Sequence, residues 1–348
     1  MGKKVGDWYQ YSGAVHVHTT ESDGTKTLEE VVAIGERADL DFLMISDHMT
    51  LASREKGEGL YGKMLVVIGY EHNDPEDCHH YLLFETPRVY PAEMSVREYV
   101  AAGAADGALG IMAHPDEVRS RMPQFPPYPW TDWNVEGITG VELWNQMSEW
   151  MERLTPFNKL LMAFSPRKSM VGPTKRILHQ WDQWNLKRKV VGVASVDAHA
   201  FRIKVWPFMV EIFPYKVHFR CLRTHILLKE PMSADFNTAK QQLYEALRDC
   251  RSFSSNMRWG VADRFTFYAE DDSHKVTCGG ELPSHGNVQL VAKLPSRARL
   301  KLIHNGKVIL ESNTDSLTYA VQSPGIYRVE AWKGHRGWIF SNHIRIGI

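Results

Sequence analysis

The stretch "VHVHTTESDG", Val15 to Gly24, sets imidazoles at alternate positions, His16 and His18, and a carboxylate, Asp23, just before a glycine. Valines interleave with the histidines, and a period of two marks a strand whose alternate side chains share a face. Both rings should therefore leave one face together, with Asp23 in the turn that follows and Gly24 letting the chain turn sharply. Working outward, the same chemistry recurs at the edges of further apolar runs. "LMISDH" ends in Asp47 and His48, "VVIGYE" in Glu71, "GIMAH" in His114 and "VASVDAH" in Asp197 and His199. "CHHYLLF" instead opens with His79 and His80.

These runs have the length of buried strands. Between them, "TLEEVVAIGERA", "SVREYVAAGAADG" and either "NKLLMAFSPRKSM" or "GPTKRILHQWDQW" read as amphipathic helices. The first opens on Thr27 with Glu30 three residues on, a capping box. Alternating β and α units predict an α/β domain, a mostly parallel sheet or barrel whose strands gather their carboxyl ends at one mouth. The loop Arg119–Asn134, dense in proline and aromatics, is read as a lid or substrate wall, with surface packing as the alternative. After residue 258 the helical period stops and short alternating strands take over, with Asn-Gly in "HNGK" marking a hairpin. The expected division is therefore 1–258, α/β, and 259–348, a small all-β sandwich of immunoglobulin-like size. Trp332 and Trp338 in that second part would either pack in its core or stack on a sugar.

Lysine plus arginine equals aspartate plus glutamate, 41 each, so the basic excess of a dedicated nucleic-acid binder is missing. No apolar run reaches the roughly 20 residues that span a bilayer, and no signal peptide is evident. The four cysteines, Cys78, Cys221, Cys250 and Cys278, form no CxxC pair. A cytoplasmic, reducing setting without a membrane partner is the expectation.

Imidazoles and carboxylates converging without a thiolate suit Zn, Mn or Fe better than Ca. So many donors exceed what one ion uses, and burying them unpaired would cost several kcal/mol for each charge. His72 should point away from the mouth, Asp47 should orient a ligand, and Glu142 in "GVELWN" ends a strand that faces the site or the core. Arg119, Arg121 and Arg202 follow these motifs closely and would either clamp an anionic substrate or lie solvated at the surface.

As an ordered set, "HVHTTESDG", "ISDH", "GYE", "AHP" and "VDAH" resemble the successive motifs of the PHP (polymerase and histidinol phosphatase) superfamily of metallohydrolases, over about Val15 to Ala200. The ending "GIYRVEAWKGHRGWIFSNHIRI" resembles the branch that includes bacterial carbamate-ester hydrolases. The resemblance implies a distorted (β/α)7 barrel, followed by the small β-domain, with two or three divalent ions at the barrel's carboxyl mouth. By the same resemblance His16, His18, Glu71 and Asp197 hold the first ion. Glu71 bridges to a second ion with His114 and His80, His79 being the rival, and Asp23, His48 and His199 hold a third. The implied activity is hydrolysis of phosphate mono- or diesters by a hydroxide between the ions, with Asp197 or His199 passing a proton to the leaving oxygen. The substrate would be a small, anionic ester, with a nucleotide or short oligonucleotide included. Carboxyl or carbamate esters on the same centre, and a non-catalytic metal-binding scaffold, are the alternatives.

Overall fold

A computed structural model of the chain describes residues 2–121, 125–205, 208–283 and 286–348. Part of the Arg119–Asn134 loop, residues 122–124, thus lies outside the described residues. All seven apolar runs form strands: β1 (Trp8–Val17), β2 (Phe42–His48), β3 (Met64–His72), β4 (Tyr81–Phe84), β5 (Leu109–Met112), β6 (Gly140–Asn145) and β7 (Val191–Ser195). The intervening helices include α1 (Leu28–Arg37), α2 (Val96–Ala105), α3 (Gln146–Arg153), α4 (Lys159–Phe164) and α5 (Lys175–Lys187). The capping box at α1 is formed, with Thr27 Oγ1 accepting from the Glu30 backbone and Glu30 Oε2 from Thr27 N. Ser95 and Glu98 repeat it at α2. Among the described residues no helix is long and apolar enough to cross a membrane.

The chain divides into two compact units, one of residues 13–170 and 194–223, the other of 1–12, 171–193 and 224–348. In the first, β1–β2, β2–β3 and β5–β6 pair in parallel, whereas β3–β4 and β4–β5 are antiparallel. Only residues 73–80 join β3 to β4. Parallel pairing needs a crossover of about a dozen residues or more, so β4 must run backwards. Its amino end, carrying His79 and His80, therefore lies at the same edge as the carboxyl ends of its neighbours. That reversal departs from the mostly parallel order expected, and among the described residues the sheet is not closed into the expected distorted (β/α)7 barrel. β1 meets the segment after β7 through an isolated bridge, Val17 to Ala198, and backbone bonds such as His18 N to Ala198 O at 3.1 Å. Every residue of β3 is buried, as expected for a strand covered on both faces.

The second unit holds α5, α6 (Phe236–Arg248) and the whole of the predicted all-β stretch. Its antiparallel strands are β8 (Ser252–Asn256), β9 (Thr266–Glu270), β10 (Gln289–His304), β11 (Lys307–Ala320), β12 (Gly325–Lys333) and β13 (Arg336–Ser341). β10 pairs with β9, β11 and β12, and β13 joins β12 to β8. Where a two-sheet sandwich is predicted, these strands belong to one hydrogen-bonded network. Asn305 and Gly306, at φ 50° and 78°, make the two-residue hairpin between β10 and β11. Trp338 is buried in the core, its Nε1 donating to Gly260 O at 2.9 Å, which rules it out as a sugar platform. A buried ion network ties α5 to β12: Arg328 donates to both oxygens of Asp182 at 2.7 and 2.9 Å and to Glu330 at 2.6 Å.

Candidate metal centre

His16 owes its direction to more than strand alternation. Between Val15 and Val17 the register against β2 slips, and His16 takes a left-handed backbone at φ 67°. This bulge re-aims the side chain, bringing its ring within 5.0 Å of that of His18. His114 and Asp197 are also left-handed, at φ 28° and 50°. Such conformations cost on the order of 1–3 kcal/mol each for a residue with a Cβ and collect where a site demands them.

The nine predicted donors converge. His16 Nε2 and His18 Nε2 face Glu71 Oε2 at 2.9 and 3.2 Å, and each lies 3.5 Å from Asp197 Oδ1. The other Glu71 oxygen, Oε1, faces His80 Nδ1 at 2.9 Å and His114 Nε2 at 3.3 Å. Asp23 Oδ1 is approached by His199 Nε2 at 3.1 Å, His18 Nδ1 at 3.6 Å and His48 Nε2 at 3.8 Å. Three groups have donor atoms within 4.8 Å of one another: His18, Asp23, His48 and His199; His16, His18 and Asp197; and His16, Glu71 and His114. His18 thus belongs to two groups, which the sequence reading did not anticipate. His79 faces elsewhere, bonding Asp74 Oδ2 at 2.6 Å and Thr131 Oγ1 at 2.7 Å.

Outer groups hold these donors in place. Glu142 accepts from His16 Nδ1 at 2.7 Å, His114 N at 2.7 Å and Asn145 Nδ2 at 2.8 Å, and Asn145 Nδ2 also reaches Asp197 Oδ2 at 3.3 Å. A carboxylate on one ring nitrogen fixes the tautomer and leaves the other nitrogen's lone pair for a cation. Asp47 accepts from Thr19 N, Thr19 Oγ1 and Ser22 Oγ at 2.6–2.7 Å, which anchors the turn that presents Asp23. Gly24 serves that turn by close approach: a Cβ there would stand 2.7 Å from the carbonyl carbon and oxygen of His18. Asn73 Oδ1 pairs with His48 Nδ1 at 2.8 Å. Tyr128 stacks on His80 at 5.0 Å. Asn73, Asn145 and Tyr128 were missed by the sequence reading. Asn145 ends an apolar run as the ligands do, a usable signal, whereas nothing in the loop composition singles out Tyr128. His72 points away, as expected, and its ring packs against Tyr99 at 4.2 Å.

The electrostatics ask for positive charge. Burial by itself depresses an imidazole pKa, yet His18 is raised to about 9 and His80 to about 10, because the carboxylates outweigh burial. His16 is raised as well, against burial, by Glu71, Asp197 and Glu142. Burial would push Glu71 and Asp197 up, but the surrounding imidazoles hold both well below the ordinary carboxylate range. Against partial burial, His199, His18 and His48 bring Asp23 down to about 2. Protons or cations must balance these carboxylates. One buried ring nitrogen that faces the cluster, His18 Nε2, has no aligned hydrogen-bond partner, which costs about 1–3 kcal/mol unless a ligand takes it. An orphaned nitrogen, neighbouring carboxylates and a donor set without thiolate fit divalent cations.

The three arginines do not join the cluster. Arg119 is tied to buried Glu117 and lies over the Tyr128 ring at 5.3 Å. Arg121 and Arg202 are exposed, and among the described residues no ion pair links any of the three to the nine donors. Two residues in the described part of the Arg119–Asn134 loop bond to the His79–His80 segment: Trp130 Nε1 donates to His80 O at 3.0 Å, and Thr131 Oγ1 pairs with His79 Nε2 at 2.7 Å.

No protein-family model and no curated protein matches the sequence. Among solved structures, the chain is similar to a two-domain protein containing a predicted PHP-like metal-dependent phosphoesterase from Bacteroides vulgatus, at 12% identity and a TM-score of 0.47, over 99% of this chain and 97% of that one. It is also similar to PsfC from Pseudomonas syringae, at 11% identity and a TM-score of 0.40, over 66% of this chain and 86% of that one. At such identities the functional reading rests on the geometry of this cluster.

Proposed function

We propose that this chain is a metal-dependent hydrolase of phosphate mono- or diesters. The observation that carries the reading is the division of Glu71, with Oε2 turned to His16 and His18 and Oε1 to His80 and His114. A carboxylate so placed suits two neighbouring cations. His16, His18, Asp197 and Glu71 would hold one ion, and Glu71, His80 and His114 a second. Asp23, His48 and His199, with His18 beside them, offer a third position.

When bound, the ions would polarise the scissile oxygen and lower the pKa of water at neutral pH. The chain supplies the rest. Glu142 orients His16 through Nδ1, and Asn73 orients His48. With the third position empty, His199 can hold a proton at Nε2, 3.1 Å from Asp23 Oδ1, and deliver it to the leaving oxygen. With that position filled, Asp197 is the remaining base.

A carboxyl or carbamate ester is the second reading, and one observation favours it. Among the described residues no arginine is ion-paired with the donors, so none is fixed there to receive a phosphate. Assay of p-nitrophenyl phosphate, its diester and a naphthyl carbamate separates the two, before chelation, after it and with the ions restored. Turnover of a phosphoester, lost with the ions and regained with them, is expected. Turnover of the carbamate alone moves the assignment to the second reading, and no turnover of any ester leaves a metal-binding scaffold.

A further inference from the structure

α4 and its flanks expose an apolar surface that the catalytic reading does not use. Past Lys159 the helix holds only apolar residues, Leu160 to Phe164. Met162 turns inward against Met147, Trp150 and Phe213, and Trp150 Nε1 donates to Met162 O at 3.1 Å, which fixes the helix's orientation. Outward stand Phe157, Leu160, Leu161 and Phe164, exposed at 101%, 69%, 64% and 84%. A helix that is hydrophobic all round is normally buried, and a contiguous apolar patch of this kind marks an interaction surface.

Charge decides what covers it. From Arg153 to Met170 the chain carries Arg153, Lys159, Arg167 and Lys168 and no carboxylate. Arg153 is engaged by Glu149 at 3.1 Å, while Lys159 and Lys168 are exposed. Arg167 is held beside the patch by its bond to Arg220 O at 3.1 Å. A second copy packed across a two-fold axis would set this cationic rim against itself, since the same surface meets on both sides. Protein interfaces are enriched in aromatic residues, methionine and arginine, but they are depleted in lysine, and leucine is under-represented among their hot spots. Phenylalanine and leucine ringed by lysine is instead the composition of segments that lie in a lipid interface, with apolar chains below the headgroups and cations among them. Phe157 stands clear of the surface and needs no pocket in a partner.

We infer that the segment 157–168 docks the protein on an anionic lipid surface. Peripheral attachment needs no spanning helix, so the expectation of no membrane partner, drawn from the lack of one, does not address it. The inference is also independent of the hydrolase reading.

Co-sedimentation of the full chain with vesicles tests it, using phosphatidylcholine alone and an equal mixture with phosphatidylglycerol. Binding to the mixed vesicles is expected, weakening as salt rises, with far less on the neutral ones. Leu161→Ser with Phe164→Ser should abolish it. Lys159→Gln with Lys168→Gln should reduce it roughly thirtyfold, while leaving the apolar face intact. Binding to neither vesicle, or to both equally, overturns the inference. So does light scattering that finds a dimer dissolved by the serine pair, or tight capture of polyglutamate without vesicle binding, which assigns the face to a second copy or to an acidic protein.

Discussion

His79 and His80 are adjacent, both buried, and chemically identical, yet only one has a ring on the cluster. The backbone of His79 is left-handed at φ 49°, which turns its side chain to Asp74 and Thr131. His80→Ala should therefore lower bound metal. His79→Ala should leave the ion count unchanged and lower the melting temperature. Metal analysis with a thermal melt of each variant separates them, and equal metal loss in both would refute the assignment. Glu142 touches His16 and the His114 backbone. In Glu142→Gln the amide NH2 would meet either the His114 N–H or His16 Nδ1. A loss of 10- to 100-fold in metal affinity is the order expected for such an outer partner. Competition with a chelating dye measures it, and unchanged affinity would show that His16 needs no orienting group.

Among the elements, the turn after β1 is held by Asp47 and by the fit of Gly24 against His18. Gly24→Ala would force that contact apart and draw Asp23 away. One ion fewer per chain, with the fold intact by circular dichroism, is the expected outcome, whereas an unchanged ion count would remove Asp23 from the ligands. The bond between α5 and β12 makes a prediction about stability. Asp182→Ala would leave the buried Arg328 guanidinium with Glu330 as its remaining carboxylate, and removing one partner of a buried pair costs about 3–5 kcal/mol. Burial would raise the Asp182 carboxyl, but Arg328 and His343 hold it well below 3.8. A depressed carboxylate contributes stability above its unfolded pKa and loses it as pH falls further. Urea melts should thus show wild type and variant far apart at neutral pH and converging on the acid side below about 4. A gap independent of pH would mean that the charge pair is not the source.

At the scale of the whole molecule, most of the site was legible because its chemistry repeats at strand edges, and that repetition survives an error about the sheet. The reversal of β4 could have been read from the short 73–80 connection and from histidines that open the run instead of ending it. The bulge at His16 could not, because alternation predicts the same convergence without it. The supporting side chains were partly hidden as well: Asn73 and Tyr128 gain their roles only from the paths of β3 and the long loop. The "HNGK" hairpin was legible because Asn-Gly has local conformational meaning, but how its strands assemble depends on long-range pairing that no local pattern encodes.

The central claim is that Glu71 serves two cations at once. Metal stoichiometry of wild type and Glu71→Gln, each purified without chelator, tests it most directly. Two or more divalent ions per wild-type chain are expected, falling by more than one in the variant, because both positions share the carboxylate. Less than one ion in the wild type, or a variant that retains its full complement, would contradict the account.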